Sequence, residues 1–380
     1  MSAQQRPVSY ASVQNTGEFR ELYRYVEAAG LLGKFGTAKT DSAGNAVPAD
    51  ASDLWNLYLA PAASQLLSGP FSAEAFDAVY PALEKSLFSE YATWNVWAPL
   101  AGFTSNVGFT TLANGVTIRE LEDGERAYLE ELAESLHAPS YLWHARNSTH
   151  ALSRQIERPK AGPIPGVIED PEFDLVITAL RLVRQGGVWY AFTPVSRAGP
   201  QFGSWVPAGK PMTSWSDSRS VAHGPRYDLT SIDVEGLNQL VASLFQHAPP
   251  MAVGRALDRF NFSYERRRPE DRLVDCWVAL EALFLRDVRD ELSFRASLRL
   301  ARCLGRTSGE RQWLYRATKR SYKIRSGVVH GEPIPDGIWN VAEFTQEALR
   351  RALRQCVLES SPPDLEGLDL GAVRSAAEEG

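Results

Sequence analysis

One short segment of the sequence, SYKIRSGVVHGEPIPDG at residues 321–337, contains the residue types that phosphodiester chemistry needs. A histidine such as His330 titrates near neutral pH, so it can take a proton from a hydroxyl or return one to a leaving oxygen. An arginine such as Arg325 stays charged and offers a planar fork of donors to a phosphate. Together they suffice for RNA cleavage in which the ribose 2′-hydroxyl is the nucleophile, with Ser326 positioning a phosphate oxygen. The segment therefore predicts a catalytic pair that needs no metal or cofactor.

The spacing of the pair sets a condition on the backbone. Residues five apart on a regular helix point about 140° apart, so an unbroken helix does not aim Arg325 and His330 at one point. Gly327, Gly331 and Pro333 follow Arg325 closely, and glycine and proline are the residues that interrupt helices. We expect a helix break that brings both side chains to one site.

The elements that must position this segment are helical from about residue 233 onward. Apolar residues recur at helical spacing, Pro269 with Glu270 and Asp271 makes a favourable first turn, and Gly305 stands where a helix would end. The predicted helices are Val234–His247, Met251–Phe260, Pro269–Leu285, Asp290–Leu304, Ser308–Arg325 and Asp336–Leu358.

The first 234 residues have a mixed pattern. Asn114-Gly115 between two β-prone runs predicts a hairpin, and an apolar-periodic helix begins near Asp123. Helices are predicted around Asp53–Leu67 and Ser72–Phe88, and FDLVITALRLV and VWYAFTPVSR, which flank Gly186-Gly187, are interpreted as a strand pair. The predicted fold class is α+β, with a mixed region at 1–234, a helical domain at 235–359 and a disordered acidic tail at 360–380.

Three blocks in the helical region resemble the HEPN superfamily, and within it the ApeA-like branch of antiviral and abortive-infection proteins. They are RLVDCWVALEALF (272–284), LSFRASLRLARCLG (292–305) and YKIRSGVVHG (322–331). The last contains an Arg followed by four residues and a His, with a polar residue after the Arg, as in the HEPN signature. Similarity covers residues 235–358, and the segment PLAGFTSNVGFTTLANGVTIREL is faintly similar to segments that precede such domains.

The resemblance implies a helical bundle that dimerises, so that two protomers line one composite cleft. It implies a metal-independent endoribonuclease, acting as a toxin or antiviral effector, with RNA as substrate. Arg325 and His330 match the catalytic positions, Ser326 the polar follower, and Glu281 a supporting residue. Related toxins have a tyrosine two residues after the histidine, which their antitoxins modify. Glu332 stands there in this chain, so silencing by that modification is not expected, although a separate antitoxin or trigger protein remains an expected partner.

Each of these residues also has a purely structural interpretation. Arg325 could cap carbonyls and His330 could fill a turn, and Glu281 could orient Arg325 or form an ion pair needed only for packing. In that case the chain would be a non-catalytic scaffold that binds RNA, a nucleotide or a protein partner. Retention of both Arg325 and His330 beside a polar neighbour favours the enzyme.

Further contacts to RNA are predicted around the pair. Tyr322 is a candidate supporting residue and Lys323 a candidate RNA contact, although core and solvent-facing roles are more frequent for such residues. The run Arg266, Arg267 and Arg268 could grip a phosphate backbone or simply be solvated.

The charge distribution agrees with a local polyanion contact. The net charge is −6, but residues 251–360 contain 21 Lys and Arg against 15 Asp and Glu, and the remainder contains 19 against 31. A basic segment in an acidic protein can contact phosphates while the rest repels nonspecific nucleic acid.

The remaining sequence features exclude several classes of protein. Cys276, Cys303 and Cys356 are odd in number and widely spaced, which indicates reduced thiols. His144 and His150 lack the spacing and the acidic neighbours of a metal site. No apolar run is long enough for a membrane span, and the N-terminal residues MSAQQRPVSYASVQ lack the charged-then-apolar order of a secretory signal, so a cytoplasmic protein is expected. The N-terminal region contains no phosphate-loop, nucleophile-elbow or zinc motif that would support a carbohydrate- or nucleotide-binding role. Trp205 and Trp215 either stack on a ligand or pack in a core or loop.

Overall fold

The fold combines helices and strands, as the α+β prediction requires. The computed structural model describes residues 10–30, 39–40, 46–47, 50–55, 59, 72–135, 147–159, 170–197 and 221–371. Its helices are α1 (Tyr10–Val13), α2 (Gly17–Ala28), α3 (Ala51–Leu54), α4 (Ala73–Phe88), α5 (Asp123–Ser135), α6 (Pro171–Val183), α7 (Asp233–Gln246), α8 (Met251–Glu265), α9 (Pro269–Phe284), α10 (Leu292–Leu304), α11 (Ser308–Val329), α12 (Ile338–Leu358) and α13 (Leu365–Leu370). Its strands are β1 (Lys39–Thr40), β2 (Ala46–Val47), β3 (Tyr91–Pro99), β4 (Phe103–Ser105), β5 (Phe109–Thr111), β6 (Thr117–Glu120), β7 (His150–Pro159), β8 (Val195–Arg197) and β9 (Tyr227–Leu229).

Five strands form an antiparallel sheet in the order β5-β6-β7-β3-β8, and β4 pairs in parallel with β9. The predicted hairpin at Asn114-Gly115 is confirmed as the β5–β6 connection. Leu112 donates its amide to the carbonyl of Val116, and Gly115 adopts a φ of +79°, which a glycine tolerates without strain.

The predicted strand pair around Gly186-Gly187 is wrong, because its first run is helical and only Val195–Arg197 of its second run forms a strand, β8, which pairs with β3. Residues 171–183 form α6, whose N-cap Asp170 accepts a hydrogen bond from the amide of Glu172, with Pro171 in the first turn. Phe173, Val176, Ile177 and Leu180 are buried at helical spacing. This burial along one face outweighs the local β propensity of the valine and isoleucine side chains.

All six predicted C-terminal helices are present as α7 to α12, with ends that differ from prediction by a few residues. Helix α9 lies at their centre and packs against α8, α10, α11 and α12. Its side chains Cys276, Trp277 and Leu280 are buried among those helices, and Cys276, Cys303 and Cys356 are all free thiols.

The hydrophobic core continues across residue 235, the predicted boundary. It includes Val96 and Leu152 of the sheet and Leu353 of α12 in one cluster, and α6 packs against both α7 and α12. Arg350 of α12 donates to the carbonyls of Leu182 and Val183 at 2.6 and 2.8 Å, which satisfies the C-terminal end of α6. The sheet region therefore shares its packing with the helices that hold the candidate site.

The chain after residue 360 departs from the predicted disordered tail as far as residue 371. Helix α13 packs on α10, where Arg299 is 1% exposed and donates to both Asp287 and Asp369 at 2.6–3.0 Å. Arg302 also donates to the carbonyls of Leu368 and Asp369. Arg299 and Arg302 on α10 thus hold α13 in place, although the composition of this segment alone does not predict a helix. Residues 372–380 of the predicted tail lie outside the described residues.

This arginine cluster predicts an acid-dependent loss of stability. Hydrogen bonds from Arg299 lower the pKa of both Asp287 and Asp369. A carboxyl whose folded pKa is lowered contributes stability above its unfolded pKa, about 3.9, and that contribution is lost as the pH falls through the folded pKa. We expect Asp369→Asn to be less stable than the parent at pH 7 and the two free energies of unfolding to converge as the pH falls below the folded pKa of Asp369. Urea unfolding between pH 6 and 2.5 measures this, with Asp336→Asn, an exposed carboxylate, as control. Parallel curves for parent and Asp369→Asn over the whole range would contradict it.

Candidate functional site

The candidate site is built on α11, which ends in a Schellman motif. The amide of Glu332 donates to the carbonyl of Gly327 at 2.8 Å, and the amide of Gly331 donates to that of Val328 at 3.2 Å. Gly331 has a φ of +77°, a conformation that disfavours side chains, so this glycine is the residue that ends the helix. His330 is the C-cap residue of α11.

The predicted helix break between Arg325 and His330 is wrong. Helix α11 continues through Gly327 as far as Val329. A glycine inside a helix costs only about 1 kcal/mol, which the packing of a 22-residue helix outweighs. The two side chains consequently leave the helix about 140° apart. A single copy of the chain does not bring them to one point.

Arg325 lies on the side of α11 that faces the other helices. Its Nη2 donates to Oε2 of Glu281 on α9 at 3.3 Å, and its guanidinium carbon lies 5.9 Å from the ring centre of Tyr322. The side chains of Arg325 and Glu281 are 20% and 28% exposed. Nε of Arg325 is buried and has no hydrogen-bond partner among the described residues. One long hydrogen bond from Nη2 therefore anchors a guanidinium whose side chain remains partly exposed.

Burial around Arg325 acts on its two ionisable neighbours. Burial raises the pKa of Glu281, and the charge of Arg325 opposes that rise. Burial also raises the pKa of Tyr322, with the nearby Glu281 adding to the shift and Arg325 opposing it. The structure brings these three predicted residues together, and the contact fits both roles proposed for Glu281, orientation of Arg325 and an ion pair for packing.

A buried polar chain under the site was not found from the sequence. Nε1 of Trp277 donates to Oγ of Ser321 at 2.9 Å, and Ser321 lies 2.6 Å from Oγ1 of Thr345 on α12. The ring of Trp277 meets that of Tyr322 edge-on at 4.9 Å. Trp277, Ser321 and Thr345 are far apart in sequence. Only a prediction of how α9, α11 and α12 pack together could have shown the hydrogen bonds between them.

His330 lies on the surface, unlike Arg325. The residue is exposed, and no side-chain hydrogen bond or ion pair joins its imidazole to the described part of the chain. Ser326, one turn before it, is half-buried. Every residue from Val329 to Gly337 is exposed, including the apolar Val329 and Ile334. The imidazole is therefore open to a macromolecule.

The other predicted RNA contacts are spread over the surface. Lys323 is exposed on α11. Arg266 pairs with Asp275 at 2.6 Å and Arg268 with Glu270 at 2.8 Å, which favours the structural interpretation for these two arginines. Arg267 is exposed and forms no ion pair with a residue that the structure describes.

A concave surface lies between α6 and α8, away from Arg325 and His330. It is a cleft of about 300 Å³ lined by Trp189, Tyr190, Asp258 and Asn261, among others. The buried Arg181 lines it too, and donates to the carbonyl of Val188 and to Asn261. No sequence motif marks this cleft. Trp205 and Trp215, the tryptophans predicted to stack on a ligand or anchor a core, lie outside the described residues.

The described ranges contain neither a candidate metal site nor a membrane-spanning helix. There, no group of three or more His, Cys, Asp and Glu side chains is arranged to hold a metal ion. His150 is buried, with Nδ1 2.8 Å from Oγ1 of Thr149, and His144 lies outside these ranges. None of the helices described is both long and apolar enough to span a membrane.

Comparison with known proteins yields no relative: no family model, no curated protein and no solved structure matches the chain.

Proposed function

We propose that this protein is a metal-independent endoribonuclease of the HEPN type, with Arg325 and His330 as its catalytic pair. The observation that carries the proposal is the exposed imidazole of His330 at the end of the helix that also holds Arg325. His330 takes the proton of a ribose 2′-hydroxyl, and the 2′ oxygen attacks the adjacent phosphorus. Arg325 donates to the phosphate oxygens as their charge grows. The 5′ oxygen leaves and is protonated from solvent, to which the site is open, so that a 2′,3′-cyclic phosphate remains.

The site is completed by a second copy of the chain. Because the two side chains diverge by about 140°, a single protomer offers a phosphate either Arg325 or His330. A two-fold axis beside the C-terminal end of α11 would place Arg325 of one copy opposite His330 of the other. Val329, Ile334 and Trp339 are exposed apolar side chains in that part of the chain, and apolar side chains of this kind are what an interface covers.

The proposed role in defence against phage, as an abortive-infection or toxin effector, rests on the resemblance of the three sequence blocks alone. We propose that residues 1–234 sense a trigger or restrain the nuclease. The continuous core between the sheet and α12 supports this, because a change in the sheet region would be felt at the helices.

A non-catalytic scaffold that binds RNA, a nucleotide or a protein partner is the second candidate. The ion pair of Arg325 with Glu281 favours it, since that arginine already has a partner inside one protomer. The two candidates differ in whether RNA is cut.

Incubation of total RNA with the purified parent chain in excess chelator tests the proposal, with His330→Ala as the matched variant. We expect the parent to produce fragments that end in cyclic phosphates and the variant to leave the RNA intact. Intact RNA in both reactions would support the scaffold, and equal cleavage in both would indicate a contaminating nuclease. Either outcome would contradict the proposed nuclease.

A further inference from the structure

Helix α11 has an unusual charge pattern for an acidic protein. Between Glu310 and Glu332 the sequence has six Arg and Lys residues and no carboxylate. Four of them are exposed: Arg316, Lys319, Arg320 and Lys323, which we name the basic face. At 100° per residue these four positions fall within an arc of about 100° on the helix surface. The charge is thus concentrated on one side of one helix.

None of the four side chains of the basic face forms an ion pair with any residue that the structure describes. Nζ of Lys319 lies 5.7 Å from the ring centre of Tyr315. Neighbouring cations are paired, as Arg325 is with Glu281 and Arg351 with Glu310. Like charges four residues apart, as in Arg316 and Arg320, destabilise a helix by a few tenths of a kcal/mol. A face that keeps this repulsion without a carboxylate partner among the described residues is suited to an external polyanion.

His330 and the basic face point the same way. Continuing the helical rotation from Lys323 places His330 inside the arc of the basic face, with Ser326 at its edge. Arg325 lies on the opposite side of α11, toward Glu281. A polyanion bound along the basic face therefore also reaches the imidazole of His330.

An exposed aromatic ring marks the other end of the basic face. Trp313 is 57% exposed and meets Phe344 edge-on at 5.3 Å, which holds its ring in place. It lies beside Arg316 and Arg320 on the helix surface. Cationic side chains with a fixed, exposed aromatic ring are the combination that binds single-stranded nucleic acid, in which bases are free to stack. Side chains do not reach bases in the deep, narrow major groove of double-stranded RNA.

We infer that the basic face and Trp313 form the binding surface for single-stranded RNA. Phosphates lie along Arg316, Lys319, Arg320 and Lys323, an unpaired base stacks on Trp313, and the scissile phosphate lies at His330. From Trp313 to His330 the helix rises on the order of 25 Å, so the RNA extends over several nucleotides. The position of the cut rests on the proposed function; the binding surface does not.

Fluorescence anisotropy with a labelled 20-nucleotide single-stranded RNA tests the inference. All proteins contain His330→Ala, so that RNA stays intact. The triple variant Arg316→Gln, Arg320→Gln, Lys323→Gln is compared with Arg226→Gln, Arg255→Gln, Arg289→Gln, which removes three charges from exposed arginines elsewhere. We expect the first triple to weaken binding at least roughly tenfold and to reduce the slope of log affinity against log salt by about two, at about 0.7 per phosphate contact. Equal loss in both triples would overturn the inference, because it would show an effect of net charge alone.

Trp313→Ala tests the choice of single-stranded RNA. Loss of one stacked base corresponds to about 1–3 kcal/mol, or roughly 5- to 150-fold in affinity, and Trp313→Phe should restore most of it. A matched duplex RNA should bind more weakly than the single strand and be indifferent to Trp313→Ala. Duplex that binds as tightly as the single strand, or unchanged single-strand affinity in Trp313→Ala, would overturn this assignment.

The same measurements distinguish a wrong binding surface from a wrong proposal of nuclease activity. If proteins with His330 intact cut RNA and the basic-face triple cuts and binds as the parent does, the binding surface is wrong and the nuclease stands. If binding depends on the basic face while the parent never cuts RNA, the nuclease is wrong and the binding surface stands.

Discussion

Replacement of His330 by alanine is expected to lower the rate of RNA cleavage by about 10²- to 10⁴-fold, the usual contribution of a general acid–base residue. His330 is exposed at the end of α11, so the variant should keep the stability of the parent. Single-turnover cleavage of a labelled RNA measures the rate, and thermal unfolding checks the fold.

For Arg325, the loss of cleavage rate should depend on whether the replacement keeps the positive charge. Arg325→Ala removes the donors that stabilise the growing phosphate charge, at an expected cost of about 10²- to 10³-fold. Arg325→Lys keeps the charge but loses the planar fork, so it should recover only part of the rate. Arg289→Ala, an exposed arginine on the loop after α9, is the matched control and should cleave as the parent does. Parent-like rates in both His330→Ala and Arg325→Ala would exclude this pair as the catalytic centre.

Trp277→Ala is expected to lower the free energy of unfolding by about 3–5 kcal/mol, the range for a large aromatic side chain in a core. Trp277 is fully buried between α9, α11 and α12, where its N–H donates to Ser321 and its ring supports Tyr322. The cavity left by alanine would loosen the helix that holds Arg325.

Trp277→Phe separates packing from hydrogen bonding. Phenylalanine keeps an aromatic ring against Tyr322, and Ser321 retains its contact with Thr345, so the cost should be nearer 1 kcal/mol. Urea unfolding of both variants gives the values. A loss below 1 kcal/mol for Trp277→Ala would show that this buried contact does not hold the three helices together.

Local signals in the sequence predict the helices well but not the contacts between them. Pro269 and the apolar spacing of Trp277 and Leu280 predict α9 because each signal lies within the helix itself. Residues 173–183 are helical although Val and Ile favour strands locally, because the helix is stabilised through its buried face. The cluster of Arg299 with Asp287 and Asp369 joins residues up to 82 positions apart, which no periodicity records.

The candidate site shows the same division. The sequence predicts Arg325, His330, Glu281 and Tyr322 by residue type and by resemblance, and three of the four lie together. The direction of His330 does not follow from the sequence, because Gly327, Gly331 and Pro333 could each interrupt the helix. Only Gly331 has a left-handed conformation among them, and it lies after the histidine.

Mixing Arg325→Ala and His330→Ala chains, after dissociation and reassembly, tests the shared cleft most directly. Each variant alone should cleave at no more than about a hundredth of the parent rate. A mixed dimer keeps one intact Arg325 and one intact His330 on different copies, so the mixture should regain roughly a quarter of the parent rate if half of the dimers are mixed and each has one working pair. A mixture that stays as inactive as its components, while tagged chains show that mixed dimers form, would contradict a cleft built from two copies.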